Sequence, residues 1–387
     1  MYLDKEEESM LSGEKGEALR LAMEIILKLG EFYNAERTIK ITSSQISGVS
    51  YKNIGDAGID LLRKFKNVKV SVKTFLNPIG FELDFPYDFT HDENFISKQM
   101  EIVKIFNDLG VYESLTCTPY YYYSPSFGEH IAWAESSAIV YANSVLGART
   151  NRESGISALA SSLTGRTSYY GMHLEENRKA TILVETDFKP DYFTSTVLGL
   201  YLGKNFNGKI PYFKTVENDL DTLKQLGAAM NASGSIPMFH VENITPEYKN
   251  GLNTDHEKIH IEFSEIEEFR EKINSNIEPE VLMAGCPHLS SNEIRKIATF
   301  VKNKKVKNGK SVYFFTSRKI KNENQELVKI IENTGAKIYT DTCMVVSPLK
   351  DKFNTLYLSS GKSSYYIGKE KKIVLSDLFG ILEVMMT

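Results

Sequence analysis

The sequence predicts a multidomain α/β protein built on parallel sheets, and three observations carry that prediction. At 387 residues the chain is too long for one ordinary core and should divide into two or three α/β units. After Lys179 the text alternates short apolar β-branched runs with helical spacing, as in TILVET, IPMFHV and KIHIEF. From Val281 onward the alternation is regular: VLMAG, a helix, SVYFFT, a helix, AKIYT, then a strand at Asn354–Leu358 and a last helix.

In order along the chain, acidic Lys5–Glu8 followed by helical apolar spacing through Leu29 reads as one amphipathic helix with a favourably charged first turn. Strands are expected at Thr38–Thr42 and Val68–Thr74, with helices at Asp56–Lys66 and Asn94–Leu109. Thr116–Gly128 has no period and holds a cysteine, prolines and four consecutive tyrosines, the composition of a functional loop. EHIAWAESSAIVYANSVLGA reads as a helix lined with small residues, and RTNRESGISALASSLTG as a second one behind a doubly basic turn. A helix is expected near Asp219–Met230. The polar stretch Ser264–Glu278 marks the domain boundary, giving an N-terminal region over 1–278, itself two subdomains, and a C-terminal domain over 279–387. In that last domain helices fall at Asn292–Lys302, Glu323–Asn333 and Asp377–Met386.

Charge and composition exclude several classes. The 46 basic and 50 acidic side chains are interspersed, leaving no basic face for nucleic acid. No apolar stretch reaches about 18 residues and the N-terminus is acidic, so neither a membrane span nor a secretory leader is expected, and the chain reads as cytoplasmic. No H-E-x-x-H, G-x-S-x-G or G-x-G-x-x-G occurs, which leaves hydrolase and dinucleotide readings without a motif.

The three cysteines are the most informative residues. Cys117 sits in TCTPYYYY, Cys286 in AGCPHLSS and Cys343 in TDTCMVV, two of them followed closely by proline. None is spaced for a zinc hairpin or a C-x-x-C pair, so a shared site must be assembled by tertiary folding. Three thiolates can hold three corners of a cubane cluster and leave the fourth iron open to act as a Lewis acid. Three small buried hydrophobes are the alternative. Cys286 is expected just past the carboxyl end of the first strand of this last domain and Cys343 just past the third, in one parallel sheet, where ligands gather.

Other residues suggest anion binding. Arg149 and Arg152 flank Thr150 and Asn151 before a helix, a pattern suited to carboxylate or phosphate, though two solvated arginines would look the same; Arg166 and Arg178 can add to that site. Glu129 and His130 place a carboxylate and an imidazole beside the Cys117 loop. In SSGKSSYY, Lys362 suits an anion contact without the spacing of a phosphate loop. Ser290 and Glu293 read as a capping box, and His288 either donates to a cluster sulfur or is satisfied by backbone.

The run from Gly128 to Arg178, together with LDKEEESMLSGEKG, SGVSYKNIGDAGID, LNPIG, TCTPY, FHVENITPE, AGCPHLSSNE, TDTC and SSGKSSYY, closely resembles the aconitase X family over nearly the whole chain. The resemblance implies an aconitase-like multi-domain α/β/α architecture with parallel sheets around a central cluster cleft. It implies an iron–sulfur cluster on Cys117, Cys286 and Cys343, 4Fe–4S with one open iron and 3Fe–4S when oxidised. It also implies substrate contacts from Gly48, Asn77, Ser136, Asn143, Arg149, Asn151, Arg152, Ser360 and Lys362, with Glu129 and His130 as catalytic groups. Members are dehydratases: the archaeal branch converts (R)-5-phosphomevalonate to trans-anhydromevalonate 5-phosphate in a modified mevalonate pathway, and bacterial relatives dehydrate cis-3-hydroxy-L-proline. LNPIG and the length resemble the archaeal branch, whose large subunit needs a small subunit with a swivelling β-rich domain.

Three positions depart from the family pattern: Gln45 stands where histidine is expected, Glu82 where aspartate is expected, and Asn243 where glycine is more usual. Two rivals need no dehydratase. A cysteine-nucleophile enzyme would pair Cys117 with His130, and an iron-responsive binding protein would use the cluster as a sensor.

Overall fold

The computed structural model describes residues 1–251 and 257–387. It is a mixed α/β protein in which parallel sheets dominate. The first sheet has three parallel strands in the order Lys73–Leu76, Ser43–Ile46, Ala132–Trp133, beside an antiparallel pair of Thr38–Lys40 with Arg166–Ser168. Ser43–Ile46 is wholly buried although three of its four residues are polar. It is tolerated because each side chain is bonded: Ser44 donates to the carbonyls of Ala132 and Ala158, and Ser43 accepts from the Trp133 indole.

The second sheet orders His240–Val241, Pro211–Phe213, Ile182–Thr186 and Glu257–Ile261, again all parallel. Helices Tyr192–Asn205 and Leu220–Gly234 pack tightly beside it. A Cβ on Gly203 would stand 2.9 Å from the Met230 carbonyl and one on Gly234 only 2.0 Å from the Gly203 carbonyl, so glycine permits the close approach.

The third sheet has five parallel strands in the order Lys337–Tyr339, Ser311–Thr316, Val281–Leu289, Thr355–Leu358, Lys372–Leu375. Counted within this region the order is 3-2-1-4-5, so the sequence direction reverses between Val281–Leu289 and Thr355–Leu358. Ligands bind outside the carboxyl ends at such a switch point. Cys286 lies there, inside its strand instead of just past it. Pairing with the neighbouring strand lapses between Ala284 and Leu289, where Gly285 takes φ +108° and a Cβ would meet the Phe315 carbonyl at 2.2 Å. The lapse frees the Cys286–His288 segment from the ladder.

Several expected elements differ. The single N-terminal helix divides into Lys5–Leu11 and Glu17–Phe32, because Gly13 and Gly16 turn the chain with positive φ between them. The strand expected at Val68–Thr74 forms at Lys73–Leu76. EHIAWAESSAIVYANSVLGA is not one helix: Ala132–Trp133 is a strand, Ser136–Tyr141 an α-helix and Ala142–Leu146 a π-turn. The polar Ser264–Glu278 stretch contains helix Phe263–Ile273, whose Ile266, Phe269 and Ile273 pack on the middle core. Helix Tyr192–Asn205 and strand Pro211–Phe213 were not anticipated, nor was the last strand Lys372–Leu375. Asn243 takes φ 59°, a left-handed conformation that asparagine adopts more readily than most residues and glycine adopts freely. Among the described residues no helix is long and apolar enough to cross a membrane.

Candidate active site

The carboxyl ends of the first and third sheets meet at a cavity of about 320 Å³. From the first sheet, Ser43–Ile46 runs into Ser47, Gly48 and Val49; Lys73–Leu76 runs into Asn77 and Pro78; Ala132–Trp133 runs into Ala134, Glu135 and Ser136. From the third come Cys286, Cys343 with Val345 and Val346, and Lys362 with Tyr366. Cys117 arrives on a segment that continues the first sheet, since Tyr112 bridges Phe75 in parallel and Thr116 N–H donates to the Leu76 carbonyl at 2.9 Å. Parallel strand ends thus deliver residues 226 positions apart in sequence, Cys117 and Cys343, to one lining.

All three cysteines are buried free thiols on this cavity. Burial pushes the Cys117 thiol up to about 12 and raises Cys286 and Cys343 as well, while the Lys362 ammonium opposes the rise at each. Among the described residues no three His, Cys, Asp or Glu side chains converge for a single metal ion. A cubane takes one thiolate per iron and spaces its ligands more widely than a mononuclear site. Three unpaired thiols around one cavity, with one buried cation beside them, fit such a cluster chemically.

His288 ties the cysteine segments together. Its Nε2 lies 2.9 Å from the Thr342 carbonyl, its Nδ1 2.9 Å from Thr116 Oγ1, and its backbone N–H donates to Cys117 Sγ at 3.2 Å. A carbonyl only accepts, so Nε2 carries the proton and Nδ1 accepts from the threonine. Burial drives the imidazole down to about 4, which keeps it neutral.

The second feature is a buried ion pair between Lys362 and Glu135. Burial alone would raise the Glu135 carboxyl, yet Lys362, through charge and hydrogen bond, together with Asn77 and Ser136 brings it down to about 2. Asn77 Nδ2 donates to Glu135 at 2.7 Å, Gln45 Nε2 donates to Asn77 at 3.1 Å, and Glu135 N–H donates to Gln45 Oε1 at 2.9 Å. Gln45 is therefore part of the network behind the cavity, on a buried strand. Lys362 also donates to Ser137 Oγ at 3.1 Å. Arg152 is exposed at the cavity's rim.

Of the residues singled out from sequence, the structure brings Gly48, Asn77, Ser136, Arg152, Lys362 and the three cysteines to this lining. Ser360 lies just behind it, capping helix Gly361–Ile367 through Ser363 N–H. The others lie elsewhere. Glu129 is held by the Thr42 and Tyr123 hydroxyls and the Ser126 N–H, and His130 faces His173 with Nδ1 atoms 2.9 Å apart. Arg149 donates to the His173 carbonyl at 3.3 Å. Asn143 and Asn151 bracket backbone groups of Thr150, Pro237, Tyr170 and Met172, and Arg178 pairs with Glu247 while bonding the Asn143 and Ala148 carbonyls. Arg166 pairs with Asp4, Glu6 and Glu7. Glu82 is buried and accepts from Thr340 at 2.7 Å. The tyrosine run mostly packs: Tyr120 stacks on Tyr141 at 4.0 Å. Glu135, Asn53 and Tyr366 line the cavity without having been singled out. An acid followed by two serines at a strand-to-helix junction was the available signal for Glu135, which caps the helix through Ser137 N–H.

Family models described as the first, second and third domains of aconitase X match residues 1–176, 180–271 and 279–387. The phosphomevalonate dehydratase large subunit of Methanocaldococcus jannaschii is 45% identical, with 99% of this chain and 100% of that protein covered. A crystal structure of Thermococcus kodakaraensis aconitase X in its holo-form matches with a TM-score of 0.92 at 43% identity, covering 99% of each chain. The cis-3-hydroxy-L-proline dehydratase of Pseudomonas aeruginosa is 31% identical, with 94% of this chain but 66% of that protein covered. Matched across all three of its sheets and over nearly its full length, this chain belongs to the aconitase X family.

Proposed function

We propose that this chain is the large subunit of a phosphomevalonate dehydratase, removing water from (R)-5-phosphomevalonate to give trans-anhydromevalonate 5-phosphate. The cofactor in this reading is a 4Fe–4S cluster with one open iron on Cys117, Cys286 and Cys343, and the protein works in the cytoplasm with a small subunit. The observation that carries the reading is the convergence of three thiols, the Lys362 cation and Arg152 on one cavity. The name of the 45% identical archaeal relative supports the substrate.

When bound, the cluster supplies Lewis acidity for loss of the tertiary hydroxyl. Lys362, fixed by Glu135 and Ser137, holds the substrate carboxylate through the donor left over on its ammonium. Arg152 at the rim takes the phosphate. Asn77 and Ser136 orient Glu135, whose carboxyl near 2 suits a permanent counter-charge and is a poor match for abstracting the α-proton near neutrality. The base then comes from the small subunit, which also closes the cavity against water.

The test is anaerobic co-purification with the small subunit, iron and sulfide analysis, and a phosphomevalonate dehydration assay with Cys286→Ser as control. Iron near four per complex, with activity lost in the variant, is the expected result. A loaded complex that ignores phosphomevalonate but dehydrates cis-3-hydroxy-L-proline would move the substrate assignment. Iron-free active protein would overturn the reading.

A further inference from the structure

We infer that His288 is the positioning residue that sets the mutual placement of the three cysteine segments, and that it does so as a two-sided hydrogen-bonding clasp. The inference rests on the cluster reading above. Each cysteine is delivered by a different stretch of chain, and pairing joins them only indirectly: the Cys286 and Cys343 strands share a sheet without being neighbours, a single parallel bridge from Ile79 to Thr342 links the Cys343 segment to the first sheet, and ladder pairing lapses at the Cys286–His288 segment itself. Cys117 follows a segment bridged to the first sheet, whereas Cys286 sits where the third sheet's ladder lapses. Cys343 follows a strand two places away in that sheet. A three-point site built from such ends needs a part that touches all of them.

His288 touches all of them. It is two residues beyond Cys286 on the same released segment. Its Nδ1 accepts from Thr116, the neighbour of Cys117, and its Nε2–H donates to the carbonyl of Thr342, the neighbour of Cys343. The same residue's backbone N–H donates to Cys117 Sγ. Thr116 Oγ1 accepts from Thr118 N–H at 3.2 Å and lies 2.9 Å from Thr118 Oγ1; because Nδ1 needs a donor, the Thr116 proton goes to the ring and the Thr118 hydroxyl donates to Thr116. The His288 carbonyl faces Lys224 Nζ at 3.5 Å, which anchors the other end of the segment in a buried charge cluster. With the ring completely buried and both nitrogens used, rotation of the imidazole would break two bonds at once. The N–H to sulfur bond depends on this placement, and hydrogen bonds to cluster sulfurs tune reduction potential.

Partners that orient metal ligands change metal affinity by roughly 10–100-fold when removed. The experiment uses the full chain, loaded anaerobically with ferrous iron and sulfide, and reads iron and sulfide content, the visible charge-transfer spectrum, and the rate of iron release to a chelator. His288→Leu keeps volume and removes both ring bonds; His288→Gln keeps a donor for the Thr342 carbonyl; Thr116→Val removes only the Cys117 side. The expected result is iron release on the order of tenfold faster or more in His288→Leu with an altered spectrum, and substantial recovery in His288→Gln. Thr116→Val should fall between them. Folded His288→Leu and Thr116→Val proteins that load and release iron like wild type would overturn the inference while leaving the cluster intact. Where His288→Leu does not fold, Thr116→Val decides. Wild-type protein that takes up no iron or sulfide would overturn the cluster reading and this inference with it.

Discussion

Among the described residues two buried lysines face buried carboxylates, Lys224 and Lys362, and they differ in what remains of their hydrogen-bonding capacity. Lys224, between the second and third sheets, donates to Asp221, Glu293 and the His288 carbonyl, using all three ammonium protons. Its carboxylates are equally occupied: Asp221 accepts from Ser290 and Asn292, and Glu293 from Ser290 N–H and Tyr192. Lys362, at the cavity, has two partners among the described residues, Glu135 and Ser137. A saturated buried charge cluster can only hold structure together. One with a donor to spare beside a cavity can also hold a ligand. The difference lies in the accounting of protons and lone pairs, since burial and charge type are the same in both.

The largest effect expected from breaking this contrast is on stability. Lys224→Met leaves Asp221 and Glu293 buried without their cation and should cost about 3–5 kcal/mol, read as a lowered urea midpoint. Lys362→Met leaves Glu135 with Asn77 and Ser136 and with access to the cavity, so its loss of stability should be clearly smaller. Its dehydration rate, measured with the small subunit, should instead fall about 10²–10³-fold. Equal stability losses in the two variants, with activity retained in Lys362→Met, would erase the distinction.

A third buried site reaches electroneutrality by another route. Among the described residues His173 has no carboxylate partner; burial first, then His130, Arg178 and Arg149, push its imidazole down to about 3. The folded protein therefore keeps it neutral while the unfolded chain protonates it near the ordinary value of 6.5. Its contribution is complete above that value and is lost as pH falls toward 3. Between pH 7 and pH 4.5 the wild type should lose about 2 kcal/mol through this group, and His173→Gln should show a correspondingly flatter stability profile in urea titrations at the two pH values.

What was legible in the sequence follows the same physics. Four of the third sheet's five strands were legible because they are apolar runs alternating with helical spacing, whereas the short Lys372–Leu375 strand was not, and the Ser290–Glu293 box reads as a cap because both partners are local. The cysteines were legible as rare residues in unusual turns. Glu135 was not, because its role comes from Lys362, 227 residues away, and because a two-residue strand before it looks like the start of a helix. Ser43–Ile46 hid for a related reason: its polar residues are satisfied only by neighbours that tertiary folding supplies. Glu129, His130 and Arg149 looked like site residues by adjacency in sequence to Cys117 and Arg152. The backbone bridge between His130 and Arg149 instead groups them around His173.

That grouping gives the smallest of the expected effects and the sharpest test of which basic residue meets the substrate. Arg149 and Arg152 are three positions apart and were indistinguishable as a pair of guanidiniums. In the structure Arg149 is partly buried against the His173 carbonyl, whereas Arg152 is exposed at the rim of the cavity. A guanidinium at the rim gains a charge-assisted contact with bound phosphate in ground state and transition state alike, so its removal should weaken binding without slowing the chemical step. Arg152→Ala should therefore raise KM for phosphomevalonate about tenfold at nearly constant kcat, while Arg149→Ala should leave KM within about twofold of wild type. A raised KM in Arg149→Ala alone would place the phosphate on the His130–His173 side and return those residues to the active site.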